Sequence, residues 1–340
     1  MTEKAYRVGV VGAGMVGERL VSVLERRGFP LGELRIMATS ARRQEMAGRQ
    51  HDVIETTPDA FDGLDIALFA GTEGESGASQ LYGWQAVEKG VFVVDNGSDF
   101  RMDERVPLVV PEVNAEAMRS HQGFVANPNC STIQMVMVLA PLHRAAKLKR
   151  VVVSTYQSVS GTGRAGVQAL LQQREPAASG AEAEPGPYPH PIYDNVIPEI
   201  GSLKGEFPGY YSEESKMIVE TRKILGLPDL PVTATCVRVP VGNSHSEAIN
   251  AEFERPISPE RARELLSDAP GIAVIDKPED SRYPLAAEAS GRDAVFVGRI
   301  RRDPSAANAL DLWCVSDNLL KGAALNTVQI AEKAIEMGLI

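Results

Sequence analysis

The stretch Arg7-Val-Gly-Val-Val-Gly12-Ala-Gly14-Met-Val-Gly17-Glu-Arg-Leu20 limits the possible folds more than any other part of this chain. A short apolar run enters a Gly-x-Gly-x-x-Gly turn and leaves it as a helix, and a second strand pattern follows over residues 33–38. Glycines there permit a tight turn and let a pyrophosphate approach the helix N-terminus. Gly12, Gly14 and Gly17 are therefore candidate dinucleotide-binding residues. The acidic residue that would hold a ribose 2′-hydroxyl at the end of the second strand is missing. The chain reads Met37-Ala-Thr39-Ser40-Ala-Arg42-Arg43 instead. Hydroxyls and cations suit a 2′-phosphate, so NADP(H) is favoured over NAD, the alternative being a solvated basic loop.

Strand-like runs follow at 65–70, 91–95 and 108–110, with a helix over 79–89 between the first two. The alternation predicts a parallel, doubly wound sheet of Rossmann type. The turn Gly71–Gly77 and the loop Asn96–Arg101 come where ligands bind on open α/β sheets. Arg101 is an anion ligand or a surface cation. The segment Phe124-Val-Ala-Asn-Pro-Asn-Cys130-Ser-Thr carries the chemistry. Turn residues give way to helix-start residues and an apolar run, which puts Cys130 at a helix N-terminus. Unpaired N–H groups and the helix dipole favour a thiolate there, so Cys130 is a candidate covalent nucleophile. A small buried hydrophobe is the plainer reading.

The second half reads as a strand over 150–160, a helix over 167–173, a proline-rich loop and a helix over 213–225. Strands at 232–240, 248–253, 272–275, 294–300 and 309–315 look antiparallel, with a helix over 259–266 among them and a long helix over 318–337 at the end. The second glycine match, Gly161-Thr-Gly163-Arg-Ala-Gly166, is a decoy, because prolines follow its helix where a second Rossmann strand would stand. Seven of the 22 prolines lie between Pro176 and Pro208, which excludes a regular helix or central strand there. Arg238 falls near the end of one strand and His245 in the turn before the next.

A length of 340 residues suits two domains, and the 44% hydrophobic content is ample to bury. Cys130, Cys236 and Cys314 form neither a disulfide framework nor a zinc spacing, which points to a reducing compartment. No segment approaches ~20 apolar residues and no signal peptide precedes the first strand, so a cytoplasmic protein without membrane contact is expected. The net charge of −10 argues against nucleic acid as a partner.

Taken together the motifs resemble the aspartate-β-semialdehyde dehydrogenase family, nearly end to end. The most specific are Asp95-Asn96, Phe100-Arg101-Met-Asp, Val109-Val-Pro-Glu-Val-Asn114, Asn127-Pro-Asn-Cys130-Ser-Thr and Tyr156-Gln157-Ser-Val-Ser-Gly161. Pro189-His-Pro-Ile, Asn195-Val-Ile-Pro, Glu213-Glu-Ser-Lys216, Cys236-Val-Arg238-Val-Pro, His245-Ser-Glu and Ser316-Asp-Asn318-Leu-Leu-Lys321-Gly continue the match. One departure is the first glycine turn, which is a residue shorter than the family's.

The resemblance implies an N-terminal Rossmann-type domain, residues 1–129 completed by the helix in 317–340. A C-terminal α+β catalytic and dimerisation domain would span 130–316, in a homodimer. It also implies NADP-dependent reductive dephosphorylation of L-aspartyl-4-phosphate through a Cys130 thioester, on the route to lysine, threonine, methionine and diaminopimelate. His245 would serve as acid/base, with an ordinary pKa near ~6.5 suited to proton traffic. Gln157 would orient the acyl group or the histidine. Arg238 would grip the α-carboxylate with its fork. Glu213 would hold the α-ammonium, Arg101 and Lys216 the phosphate, and Asn129 would line the substrate site. Met15, Val16, Ser160, Gly161, Asn318 and Gln329 would join the glycines on the cofactor. Rival readings are N-acetyl-γ-glutamyl-phosphate reductase, an acyl-CoA reductase, and an inactive homologue acting as a binding protein.

Overall fold

The computed structural model describes residues 4–71, 74–203 and 207–340, and the chain divides into two compact units. One comprises Met1–Asn129 with Ala323–Ile340, the other Cys130–Gly322. Of the turn Gly71–Gly77, Thr72 and Glu73 lie outside the described residues, and so do residues 204–206 of the proline-rich stretch.

The first unit is built on a seven-stranded sheet. Its strands are β1 (Tyr6–Val11), β2 (Leu31–Ala38), β3 (Arg42–Met46), β4 (Arg49–Glu55), β5 (Ile66–Phe69), β6 (Phe92–Asp95) and β7 (Phe124–Ala126). They lie in the order β3-β4-β2-β1-β5-β6-β7, and every pairing except β3 with β4 is parallel. Strands β5 and β6 are buried along their whole length, as a sheet covered on both faces requires. Helices α1 (Met15–Arg26), α2 (Ala78–Glu88) and the short α3 (Pro111–Asn114) belong to this unit, with the C-terminal helix Leu325–Glu336 packed on α1.

Two expectations fail here. Residues 108–110 make no strand; Leu108 forms only one parallel bridge, to Ala126, because Pro107 and Pro111 lack the N–H groups that would extend a ladder. The basic loop after β2 is instead a hairpin. Ala47 (φ 52°) and Gly48 (φ 77°) make the two-residue turn with positive φ that suits strand twist. Its outer strand, β3, is charged enough to protect a sheet edge.

The second unit carries a mixed six-stranded sheet of β8 (Leu148–Gln157), β9 (Val232–Arg238), β10 (His245–Phe253), β11 (Ile272–Val274), β12 (Val295–Arg302) and β13 (Ala309–Ser316). Its order is β11-β12-β13-β10-β8-β9, and the outer pairs β8–β9 and β11–β12 are parallel. The antiparallel expectation therefore holds only for the middle of the sheet. Helix α4 (Cys130–Ala146) is buried almost all round from Ser131 to Leu142 and packs on β10 and β13, the pattern of a core helix. Helices α5 (Arg164–Gln172), α6 (Arg174–Ser179), α7 (Ser212–Leu225) and α8 (Pro259–Ser267) complete the unit.

The proline-rich stretch is tied down rather than loose. Ile192 and Ile197 pack with Val159, and the Gln173 Oε1 accepts the backbone N–H of Ile192 and of Tyr193. Ile197 pairs with Arg238.

The expected helix over 318–337 starts later. Asp317 accepts the N–H groups of Leu319 and Leu320, residues 320–324 form a π-helical segment, and the α-helix begins at Leu325. Residues 317–322 stay with the second unit, held there by hydrogen bonds that Asp317 accepts from the Asn243 amide and Asn318 from the Ser244 N–H, just before β10.

Candidate active site

Cys130 is the first residue of α4, at the turn where backbone N–H groups lack intrahelical partners and an anion is favoured. It is partly exposed, whereas Cys236 and Cys314 are buried, and burial pushes both of those thiols up, away from reactivity. Gly322 of the π-helical segment lies against Cys130. A Cβ placed on Gly322 would come within 2.8 Å of the Cys130 Cβ, so only glycine fits there.

Strand register assembles the rest of this unit's site. Gln157 ends β8 opposite Arg238 at the end of β9, and His245 opens β10 opposite Ser316 at the end of β13. His245 is thus a strand residue and not part of the turn. All three candidates, expected from residues far apart in sequence, sit along one rim of the sheet and are buried.

Gln157 donates its amide to Glu213 Oε1 (3.3 Å) and Thr155 Oγ1 (3.2 Å). Glu213, in the first turn of α7, also pairs with Lys216 (3.7 Å). Arg238 donates to the Ser158 carbonyl (2.8 Å), and a Cβ on Gly161 would lie 2.9 Å from its guanidinium and 3.3 Å from the His245 ring. The glycine therefore keeps that edge of the imidazole open.

His245 departs most from expectation. The ring is fully buried, and burial together with the nearby Arg238 lowers its pKa to about 3, far from the near-neutral value expected. Its Nδ1 accepts the backbone N–H of Ser158 (3.0 Å). The Ser158 hydroxyl, 3.1 Å from the same nitrogen, connects to Ser160 and Asn318. Asn318 Oδ1 accepts from Ser158, Ser160 and the Ser244 N–H, while its amide donates back to Ser160 (2.9 Å). Asn243 extends the chain by accepting from Ser160 and donating to Asp317. Reading the sequence missed Ser158, Asn243 and Gly322. Hydroxyls spaced two apart after Gln157 were the visible signal for the first.

Within the first unit, Gly12 takes φ +113° and a Cβ there would lie 2.6 Å from the Ala70 carbonyl. A Cβ on Gly17 would fall on the Gly12 carbonyl, whereas Gly14, at the N-cap of α1, has nothing within 4 Å. Met15 and Val16 open α1. Two close-packed glycines and one open one at a helix start fit a pyrophosphate. Thr39 and Ser40 are exposed at the end of β2, and Arg42 is exposed at the start of β3. The Arg42 guanidinium donates to Gln44 (3.0 Å), whose amide donates to the Ala13 carbonyl (2.8 Å), so the cation is tethered to the glycine turn.

Arg101 is buried and donates to the Asn96 carbonyl (2.6 Å). Asn129, which ends this unit's long segment, is buried. Gln329 donates to Glu112 (3.1 Å) on the C-terminal helix side of the same unit. No helix among the described residues is long and apolar enough to cross a membrane.

Comparison with known proteins gives a family for the chain. Residues 7–121 match the model of the semialdehyde dehydrogenase NAD binding domain, and residues 139–321 match that of the semialdehyde dehydrogenase dimerisation domain. The chain is 46% identical to the aspartate-semialdehyde dehydrogenase of Aquifex aeolicus, covering 98% of this chain and 99% of that one. It is 44% identical to that of Bacillus subtilis, over 99% of both. The crystal structure of aspartate semialdehyde dehydrogenase II from Vibrio cholerae complexed with ASA superposes with a TM-score of 0.92. It is 39% identical, with 98% of this chain and 99% of that chain covered.

Proposed function

This chain belongs to the aspartate-semialdehyde dehydrogenase family, and we propose that its own residues divide that family's reaction as follows. The enzyme is a nicotinamide-dependent oxidoreductase that converts L-aspartyl-4-phosphate to L-aspartate 4-semialdehyde and phosphate. Cys130 attacks the acyl carbon and phosphate leaves, which gives a thioester. The cofactor, when bound, supplies the hydride that takes the thioester to the aldehyde level. His245 serves as acid/base, Gln157 orients the acyl group or the histidine, Arg238 grips the α-carboxylate, and Glu213 takes the α-ammonium. Arg101 and Lys216 hold the phosphate, and Asn129 lines the site beside the nucleophile.

NADP(H) is the preferred cofactor, bound by Gly12, Gly14, Met15, Val16 and Gly17 on its pyrophosphate side and by Thr39, Ser40 and Arg42 on a 2′-phosphate. The tether from Arg42 through Gln44 to Ala13 supports that choice. Ser160, Gly161, Asn318 and Gln329 complete the cofactor contacts. The first unit is the cofactor domain and the second the catalytic and dimerisation domain, working as a cytoplasmic homodimer.

The observation that carries the reading is the position of Cys130 at the head of a buried helix, the one cysteine of three left accessible. The test is NADP reduction with aspartate semialdehyde, with and without phosphate. Phosphate-dependent turnover is expected with this compound and not with N-acetylglutamate semialdehyde, whose neutral amide would leave Glu213 buried without its ammonium partner. Faster turnover of the acetylated compound would reverse the substrate assignment.

A further inference from the structure

We infer that Gln134 is a positioning residue for the proposed reaction: with Ser316 and Glu247 it fixes where α4 stands along the sheet, and so where Cys130 stands relative to the rim. The inference deepens the proposed function and rests on its assignment of Cys130 as nucleophile.

Apolar packing alone fixes poorly where α4 stands along its own axis. From Ile133 to Leu142 the helix is fully buried, and every residue there is apolar except Gln134. Hydrophobic burial has no direction, and methionines such as Met135 and Met137 adapt to whatever faces them. A slip of one residue along the axis would move Cys130 by about 1.5 Å.

Gln134 supplies the missing direction. It lies four residues after Cys130, hence one turn on along the same face of the helix. Its Oε1 accepts the Ser316 hydroxyl at 2.6 Å, and its backbone carbonyl lies 3.8 Å from the Cys314 thiol, a weak donor. Residues 314 and 316 share one face of β13, so a single helix residue is held twice by one strand. Strand register carries that position to the rim, because Ser316 pairs with His245 and Cys314 with Glu247. The Gln134 amide also acts on the carboxyl of Glu247, which is fully buried. Thr155, which pairs with Glu247 from the other side, accepts the Gln157 amide (3.2 Å), so the rung beneath the rim holds a second rim residue too.

Strength is not what this cluster provides. The Gln134 Nε2 and both Glu247 carboxyl oxygens close no hydrogen bond among the described residues, and polar groups buried in that way cost more than apolar ones of the same size. A polar pair inside an apolar seam provides register instead. Register matters at this site. Gln157, Arg238 and His245 come from strand ends that the sheet already holds, whereas Cys130 comes from α4. The helix-to-sheet register therefore sets the nucleophile among them. Reacting atoms must meet at about 3–3.5 Å, and a misplacement of about 1 Å costs on the order of a hundredfold in rate.

The triple variant Gln134→Met/Ser316→Ala/Glu247→Met tests this, since it replaces the whole cluster with apolar groups and leaves no member of it without a partner. An unfolding midpoint at or above that of wild type is expected. For phosphate-dependent oxidation of aspartate semialdehyde with NADP, kcat should fall about tenfold to a hundredfold while both KM values stay within about twofold. Wild-type kcat in this folded variant would overturn the inference, and so would a loss of kcat matched by a rise in KM, which marks a general loosening of the site. Should the triple variant unfold earlier than wild type, Ser316→Ala decides, because it deletes a single oxygen. A kcat lowered about threefold or more at unchanged KM then supports the register lock, and wild-type kcat overturns it. Failure of the nucleophile assignment would show separately, as wild-type turnover in Cys130→Ala.

Discussion

The two candidate sites differ in how they are held. In the first unit, Thr39, Ser40 and Arg42 stand exposed at the end of a strand and the start of a hairpin, and each side chain keeps few bonds. Along the rim of the second unit, Gln157, Arg238, His245 and Asn318 are buried, and their side chains are bonded to Thr155, Glu213, Ser158, Ser160 and Ser244. An exposed residue can be removed at the cost of its own contact. A buried one leaves its partners without bonds, and each such group costs more than the bond was worth. The contrast predicts activity effects without stability effects on one side, and both together on the other.

Four measurements bear on that contrast. The largest effect belongs to Cys130→Ala, which should cut turnover by several orders of magnitude while circular dichroism and cofactor binding stay as in wild type. Turnover within about tenfold of wild type would remove Cys130 from the chemistry. Next is Arg42→Ala, expected to reduce the preference for NADP over NAD by about tenfold or more, from about 1.5–3 kcal/mol of charge-assisted bonding, with no change in unfolding midpoint. Equal kcat/KM for the two cofactors in the wild type would show that the hairpin does not read the phosphate.

Asn318→Ala should behave in the opposite way. It leaves the Ser244 N–H without its acceptor and takes one partner from each of the Ser158 and Ser160 hydroxyls, and chemical denaturation should show a loss of about 1–3 kcal/mol. Unchanged stability would put Asn318 with the exposed class.

The smallest effect is one of pH. His245 in the folded protein has its pKa lowered to about 3, so the unfolded chain binds the extra proton below its ordinary value, and stability falls as pH drops below about 6.5. Glu247, fully buried two residues along β10, is pushed up to about 8, so stability falls as pH rises from about 4.3 toward 8. The two slopes cancel between about 4.3 and 6.5, which gives a plateau there with a decline on each side. Glu247→Gln should remove the alkaline decline, at most about 1.4 kcal/mol per pH unit, and, with nothing left to cancel the His245 slope, let the acid decline begin at about pH 6.5. An alkaline limb unchanged in Glu247→Gln would assign it to another group.

What could be read from sequence follows the same division. The β1–glycine–α1 unit and the Cys130 helix start were legible because their signals are local, a turn followed at once by a periodic run. The β3–β4 hairpin was not, since Arg42-Arg43-Gln44-Glu45 has no apolar alternation and its edge position makes none necessary. Residues 108–110 looked like a strand by composition, and flanking prolines limited them to one bridge. Arg238, Gln157 and His245 could be named through a family resemblance, but their arrangement depends on strand register across dozens of residues. The state of His245 depends on Ser158, 87 residues away. No propensity or period encodes such a pairing.

The contact between Gly322 and Cys130 has a topological consequence. These two residues are the last and first of the second unit, so its ends touch in space. A domain whose termini adjoin can be inserted into a loop of another fold at little entropic cost, because the host chain need not stretch to enclose it. The second unit has that form, spliced into the Rossmann-type unit between Asn129 and Ala323. Cys130 stands where the chain enters this unit, beside the residue at which the chain leaves it.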